Sequence, residues 1–180
     1  IETLTEAGLV TGGREYDFDA IIFATGFDAM TGSLLRINIE GRSGITLQEK
    51  WSAGPRTYLG LSVSDFPNLF TISGPGSPSV LSNMIVTIEQ HVNWIMDCLV
   101  FMRDESLATI EAKADAEDSW VTQGNELASM TLMPQCNSWY LGANVPGKPR
   151  IFMPYVGGIP LYFETCDRVA ANRYEGFSLT

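Results

Sequence analysis

A loop of small residues lies between a predicted strand and a predicted helix, an arrangement that could form a ligand-binding site. The apolar run at residues 69–73 predicts a buried strand, and Gly74-Pro75-Gly76-Ser77-Pro78 follows it. Beyond this glycine-proline loop (residues 74–78), apolar positions recur at helical spacing, and Ser82 is a candidate helix cap. The loop lacks the last glycine of a GxGxxG phosphate loop. Free N–H groups at a helix start attract anions, so we predict an anion site here; a capped helix without a ligand is the alternative.

A second segment joins an apolar run to a glycine. Asp19 precedes Ala20-Ile21-Ile22-Phe23-Ala24, a run typical of a strand that is covered on both faces in a parallel sheet. Thr25 and Gly26 end this run. A glycine at that point lets the backbone pass close to a cofactor where a side chain would clash. Gly26 is therefore a candidate cofactor contact, and the alternative is a buried strand that ends in a simple turn.

The third segment is a long loop that contains one tryptophan, the Trp139 loop (residues 134–149). Loops of this length within compact domains are usually functional. An indole offers a flat apolar face and a single N–H donor, which suits a nicotinamide nucleotide. Core packing is the alternative role for Trp139, and the sequence alone does not decide between the two.

The composition argues against several other classes of function. The chain carries 11 Lys and Arg against 21 Asp and Glu, a net charge of −10, without a basic cluster. Neither nucleic acid nor an anionic membrane is therefore an expected partner. Its cysteines are scattered and His91 is its only histidine, so we expect neither a metal site nor a catalytic triad. A reducing, cytoplasmic location fits this cysteine usage best.

Strands that alternate with helices indicate an α/β fold. A hairpin is expected around Gly12-Gly13, because two glycines allow the positive φ angles of a tight turn. Helices are expected after Ser82, over residues 115–132 and over residues 160–171, and residues 174–180 predict a turn and a last strand. The chain begins at Ile1 without a start methionine, so we expect it to continue upstream.

Taken together, the three segments resemble the Baeyer–Villiger monooxygenases. The likeness runs from Asp19 to Thr180 and includes Gly54-Pro55-Arg56-Thr57-Tyr58-Leu59-Gly60 and Tyr174-Glu175-Gly176-Phe177. It implies the C-terminal portion of an α/β flavoprotein with two dinucleotide-binding domains, with an incomplete sheet and long helices. Residues 1–26 would be the tail of the NADP-binding domain, and residues 27–180 the C-terminal portion of the FAD-binding domain.

The resemblance also implies a reaction and its cofactors. Enzymes of this family hold FAD, take hydride from NADPH and insert one oxygen atom of O2 next to a ketone carbonyl, which gives an ester or a lactone. By position, Asn83 and Met84 would face the flavin, and Trp139 would contact NADP(H) on a mobile loop. The ketone pocket would be lined by Ser79, Val80, Leu81 and Met153.

Several features of the family are missing, and two other interpretations stay open. The N-terminal GxGxxG, the second dinucleotide fingerprint and the active-site arginine would lie upstream of Ile1, and neither Arg56 nor Arg150 corresponds to that arginine. No catalytic residue is therefore expected in this chain. It should be inactive and fold poorly without the missing N-terminal part of its own chain, and His91 should be structural. The alternatives are another two-dinucleotide-binding flavoprotein, such as an N- or S-oxygenating monooxygenase or a reductase, and a cofactor-free α/β interaction domain.

Overall fold

Helices and short antiparallel strands make up the fold in the computed structural model, which describes residues 1–24 and 26–180. The helices are α1 (Leu47–Lys50), α2 (Met84–Asp104), α3 (Ala114–Ser129) and α4 (Ile159–Ala171). The strands are β1 (Thr3–Leu4), β2 (Gly8–Thr11), β3 (Arg14–Asp17), β4 (Ile110–Ala112) and β5 (Phe177–Leu179). This mixture of long helices and small sheets agrees with the expected α/β fragment.

The first three strands form an antiparallel sheet in the order β1-β2-β3. Thr11 faces Arg14 across the turn between β2 and β3. Gly12 and Gly13 have φ angles of 58° and 69°, which glycine adopts without the steric cost that a Cβ would bring. The hairpin predicted around these two glycines is therefore confirmed.

The main hydrophobic core lies between α2, α3, α4 and the antiparallel pair β4–β5. Trp94 of α2 donates its indole N–H to the Cys166 carbonyl oxygen of α4 at 3.0 Å. Trp120 of α3 stacks on Tyr155 with 5.0 Å between ring centroids. A second, smaller cluster surrounds α1 and consists of Leu47, Trp51, Val63 and Phe66.

The long helix begins one residue later than predicted from Ser82 as its cap. Asn83 caps α2, since its side-chain oxygen accepts from the backbone N–H groups of Ile85 at 3.1 Å and Val86 at 3.5 Å. The Ser82 hydroxyl instead donates to the Ser79 carbonyl oxygen at 2.9 Å, which closes the preceding 3-10 helix, Ser79–Leu81. Ser and Asn are comparable caps, so local backbone geometry decides between these neighbours.

Two predictions of buried strands are wrong. Residues 20–24 form no strand, and Ile22 and Phe23 are 88% and 64% exposed. Residues 69–73 are not a strand either: Thr71 is buried, but Ile72 is 50% exposed. A strand of a parallel sheet needs hydrogen-bonded neighbours, and neither segment has a strand partner among the described residues. Thr25, which belongs to the predicted Ala24-Thr25-Gly26 strand end, lies outside those residues.

Candidate functional site

The glycine-proline loop is held from the side by the chain around Met153. The Gly76 N–H donates to the Met153 carbonyl oxygen at 2.7 Å, and the Tyr155 N–H donates to the Ser77 carbonyl oxygen at 2.8 Å. These two bonds fix the course of the loop toward α2 even though the segment before it is not a strand.

A close approach at Gly76 explains why this loop needs glycine. Its φ angle is +82°, and a Cβ there would lie 2.7 Å from the Thr57 hydroxyl oxygen. The Trp120 indole N–H also donates to the Gly76 carbonyl oxygen at 3.0 Å. The loop is thus packed tightly enough that a side chain at Gly76 would displace its neighbours.

The start of α2, where the sequence predicted an anion site, is open to solvent. Met84 is 38% exposed and Ile85 65%. Asn83, which is also exposed, occupies two of the N–H groups of the first turn with its own side chain. The positive end of the helix dipole remains, but fewer N–H donors are free than the sequence suggested. Asn83 and Met84 therefore lie where a large ring could approach, and their contact with it stays a prediction.

The segment just before α2 is strained and mostly buried. Ser79 has a φ angle of 43° and is only 1% exposed, and its hydroxyl contacts the Met30 sulfur at 3.4 Å. Val80 and Leu81 are half-buried. Strain of this kind in a residue other than glycine persists only where its surroundings hold it, and it is common at ligand sites.

Gly26 and Trp139 line one cavity of about 490 Å³. A Cβ added at Gly26, whose φ angle is +84°, would lie 3.4 Å from the Asn144 side-chain nitrogen. Trp139 is 36% exposed, so its ring is not part of the core. The other residues that line this cavity are Ala24, Phe27, Ala29, Asn137, Ser138 and Asn144. Two candidate contacts that are far apart in sequence are therefore brought together.

Polar contacts tie the Trp139 loop to the segment that follows Gly26. The Asn144 side chain donates to the Phe27 carbonyl oxygen at 2.9 Å. Lys148 donates to the Ala29 carbonyl oxygen at 3.2 Å and forms an ion pair with Asp28. None of these three polar side chains was among the candidate site residues predicted from the sequence. Only the position of Asn144 and Lys148 in a long functional loop could have drawn attention to them.

Met153 lies apart from the other candidate pocket residues. It is 3% exposed and lines a small cavity of about 40 Å³ together with Trp120 and Tyr155. That lining does not include Ser79, Val80 or Leu81. A ketone pocket that joins all four residues therefore stays a prediction.

His91 is fully buried and bonded through both ring nitrogens. Its Nδ1 accepts from the Ser73 backbone N–H at 3.0 Å, and its Nε2 lies 2.8 Å from the Tyr162 hydroxyl oxygen. That hydroxyl donates to the Leu59 carbonyl oxygen at 2.7 Å, so Nε2 must carry the proton and donate to Tyr162. Burial lowers the pKa of His91 to about 4. His91 is thus neutral at physiological pH, which agrees with the structural role expected for it.

The buried carboxylate of Glu117 is also structural. It accepts from the backbone N–H and the hydroxyl of Ser64 at 3.0 and 3.1 Å. The Lys50 ammonium and the Arg56 guanidinium lie 3.6 and 3.8 Å away. These partners compensate the burial of the Glu117 carboxylate. They connect α3 to the α1 cluster and leave Arg56 engaged there.

The part of the chain that the structure describes contains neither a cluster of metal-binding side chains nor a membrane-spanning helix. Its His, Cys, Asp and Glu side chains form no group of three or more that could hold a metal ion. None of its helices is both long and apolar enough to span a bilayer.

Curated proteins of similar sequence are monooxygenases by name. The chain is 42% identical to an acetone monooxygenase (methyl acetate-forming) of Gordonia sp. over its whole length and 34% of that protein. It is 40% identical to a Baeyer–Villiger monooxygenase of Pseudooceanicola batsensis, over 92% of the chain and 30% of that protein. It is 38% identical to the phenazine N-monooxygenase PhzNO1 of Lysobacter antibioticus, over 99% of the chain and 33% of that protein. The chain therefore spans about a third of the length of these relatives.

A solved structure agrees with the sequence matches. The crystal structure of OTEMO in complex with FAD and NADP superimposes on the whole chain with a TM-score of 0.92 at 37% identity, and the chain covers 33% of it. No family model matches this sequence.

Proposed function

We propose that this chain is part of a Baeyer–Villiger monooxygenase, because nearly all of it is similar to about one third of the length of such enzymes. The complete protein would depend on FAD and NADPH and insert one oxygen atom of O2 next to the carbonyl of a small-molecule ketone. The product is an ester or a lactone. Residues 1–26 belong in this proposal to the NADP-binding domain, and residues 27–180 form the C-terminal portion of the FAD-binding domain.

The cavity shared by Gly26 and Trp139 is the observation that supports this proposal best. It is large enough for part of a dinucleotide, and a half-exposed indole forms one wall. The missing Cβ of Gly26 leaves room that a side chain would narrow. A nicotinamide nucleotide fits these features, with Trp139 as a flat apolar wall and its indole N–H as a hydrogen-bond donor.

The second cofactor site in this proposal lies at the exposed start of α2. Asn83 and Met84 would face the flavin there, and the glycine-proline loop would hold them at a fixed distance from it. Ser79, Val80 and Leu81 would form the adjoining wall of the ketone pocket, with Met153 behind the loop. Bound FAD and NADPH supply the redox chemistry, whereas the residues of this chain bind, orient and exclude water.

The direct test uses the full-length protein, expressed after its upstream coding sequence is recovered. We expect it to bind FAD, to oxidise NADPH faster when a ketone is present, and to form an ester from acetone or cyclohexanone. In isotopically labelled O2, each ester molecule should gain one labelled oxygen atom. Purified protein that lacks FAD, or that turns NADPH and O2 only into hydrogen peroxide with every ketone tried, would contradict the proposal.

Oxygenation of a ring nitrogen is the second candidate function. The 38% identity to the phenazine N-monooxygenase supports it, because that relative is nearly as similar as those named for ketones. The same preparation therefore receives a phenazine as substrate. Formation of an N-oxide without any ester would favour this candidate over the first.

A cytoplasmic location belongs to the same proposal. Cys98, Cys136 and Cys166 are free thiols in the structure, which suits a reducing compartment. The missing N-terminal part of the chain is the expected intramolecular partner of the exposed apolar residues at 20–24 and at the start of α2.

A further inference from the structure

The hydrogen bonds of His91 and Tyr162 converge on two strained residues. His91 binds the backbone N–H of Ser73, and Tyr162 binds the carbonyl oxygen of Leu59. Ser73 has a φ angle of 54° and Leu59 one of 59°. Residues other than glycine seldom occupy this left-handed region, and they remain there only where surrounding contacts hold them. The two buried side chains therefore act at places where the backbone would otherwise relax.

Both strained residues adjoin the glycine-proline loop. Ser73 directly precedes Gly74, the first residue of the loop. Leu59 directly precedes Gly60, where an added Cβ would lie only 2.5 Å from the Ser77 backbone nitrogen. The loop is thus fixed at its entrance by Ser73 and along its side by Gly60.

We propose that His91 and Tyr162 are positioning residues, which hold Ser73 and Leu59 in their strained conformations and thereby set the direction of the glycine-proline loop toward the flavin. This inference rests on the proposed function, because it takes the start of α2 to face that cofactor. The pair contacts neither cofactor nor ketone and acts through the backbone alone. Loss of either bond should let the loop shift, which would misplace Ser79 and Asn83.

The first test removes the Tyr162 hydroxyl from the full-length, FAD-bound protein. Tyr162→Phe deletes both hydrogen bonds and keeps the ring that packs against Trp120. Tyr155→Phe is the matched control, because the Tyr155 hydroxyl is buried in the same aromatic cluster without a hydrogen-bond partner among the described residues. We expect Tyr162→Phe to raise the ratio of hydrogen peroxide to ester about tenfold, the factor that one hydrogen bond contributes to an equilibrium. Tyr155→Phe should leave that ratio unchanged.

The second test separates positioning from stability at His91. Asn at this position can present an acceptor oxygen near the site of Nδ1, so His91→Asn can keep the bond to the Ser73 N–H. His91→Leu fills more of the space and offers no acceptor. We expect His91→Asn to retain more ester per NADPH than His91→Leu, whichever of the two has the higher melting temperature. A purely structural role predicts that ester yield follows melting temperature across all four variants.

The outcomes also distinguish this inference from the proposed function. Wild-type protein that forms no ester would overturn the proposed function itself. Two other results would overturn only the positioning role, provided that the wild-type protein is active. One is an equal ratio of hydrogen peroxide to ester in Tyr162→Phe and Tyr155→Phe. The other is an equal yield of ester per NADPH in His91→Leu and His91→Asn. The visible absorbance spectrum of the bound flavin provides a further readout, and we expect it to shift in Tyr162→Phe but not in Tyr155→Phe.

Discussion

Lys148, near the end of the Trp139 loop, forms an ion pair with Asp28, two residues after Gly26. Both side chains are partly shielded, with 12% and 32% of their areas exposed. A shielded ion pair is stronger than one in open water, so this contact helps to hold the loop against the segment that forms the other wall of the cavity. The geometry of the proposed nucleotide site therefore depends on a contact outside the cavity lining.

Breaking this contact should weaken nucleotide binding. In the full-length protein, Lys148→Met removes the ion pair and the bond to the Ala29 carbonyl oxygen while keeping an unbranched side chain. We expect the Kd for NADP+ to rise about threefold to tenfold, since the loop must then be ordered at the moment of binding. Titration calorimetry measures this change. Lys113→Met, an exposed lysine elsewhere, is the control, and an equal effect of both variants would refute a local role for Lys148.

We expect Trp139 to affect the coupling of NADPH oxidation to ester formation more than it affects the stability of the fold. Trp139→Phe keeps an aromatic ring but loses the N–H donor, which costs about 0.5 to 1.5 kcal/mol of NADP binding if that donor is used. Trp139→Ala also loses the packing surface and should cost more. The Ala variant should release more hydrogen peroxide per NADPH, with little loss in the rate of flavin reduction.

A buried tryptophan provides the control for that experiment. Trp51 is 3% exposed and donates to the Arg56 carbonyl oxygen. Trp51→Phe should lower the melting temperature while leaving the yield of ester per NADPH unchanged. Core packing would predict the same behaviour for Trp139, so unchanged coupling in Trp139→Ala would exclude its contact with the cofactor.

The buried His91 should make stability depend on pH in a known direction. Its pKa is about 4 in the folded protein and 6.5 when unfolded. Between these values the unfolded chain binds the additional proton, so stability is lost as the pH falls through this window. At pH 5 the loss relative to pH 7.5 should be about 2 kcal/mol.

Urea denaturation of the full-length protein at both pH values measures this difference. Other groups in the longer protein also titrate, so His91→Asn serves as the reference. We expect the variant to lose about 2 kcal/mol less than the wild type over the same interval. Identical pH dependence of the two proteins would show that His91 does not titrate as a buried neutral residue.

The chain should fold poorly when it is expressed alone. Its exposed apolar side chains meet water in the absence of the missing part, which favours aggregation. The largest exposures include Ile22, Phe27 and Ile85 at 88%, 87% and 65%. Size-exclusion chromatography and thermal denaturation test this directly, with the full-length protein as the control. A monomer with a cooperative transition would contradict the prediction.

Local signals in the sequence were enough for the helices and the hairpin. Apolar spacing predicted both ends of α3 and α4 to within about three residues, and the start of α2 was predicted to within one residue. The adjacent glycines Gly12 and Gly13 predicted the turn between β2 and β3. The same reasoning failed at residues 20–24. An apolar run predicts that a segment is buried, but it does not indicate which part of the protein buries it. Strand β4 was missed since three residues carry too little pattern to recognise.

Contacts between distant residues could not be predicted in this way. The Trp139 loop was predicted to be functional, but nothing in the sequence paired Asn144 with Phe27 or Lys148 with Asp28. The hydrogen bonds of His91 to Ser73 and Tyr162 depend equally on how α2 and α4 pack. The resemblance to a known family supplied the roles of the candidate residues, whereas the structure supplied their neighbours.

Three polar contacts join the Trp139 loop to the segment after Gly26. In two of them the acceptor is a main-chain carbonyl oxygen, that of Phe27 or that of Ala29. Hydrogen bonds of this kind do not depend on which side chains residues 27 and 29 carry. Substitution of Phe27, whose ring is largely exposed and lines the cavity, should therefore alter the proposed nucleotide site without releasing the loop. Substitution of Asp28 should release it, because there the contact ends on a carboxylate. The segment thus separates anchoring, which depends on one side chain and two carbonyl oxygens, from the shape of the cavity wall, which the flanking side chains can change while the loop stays in place.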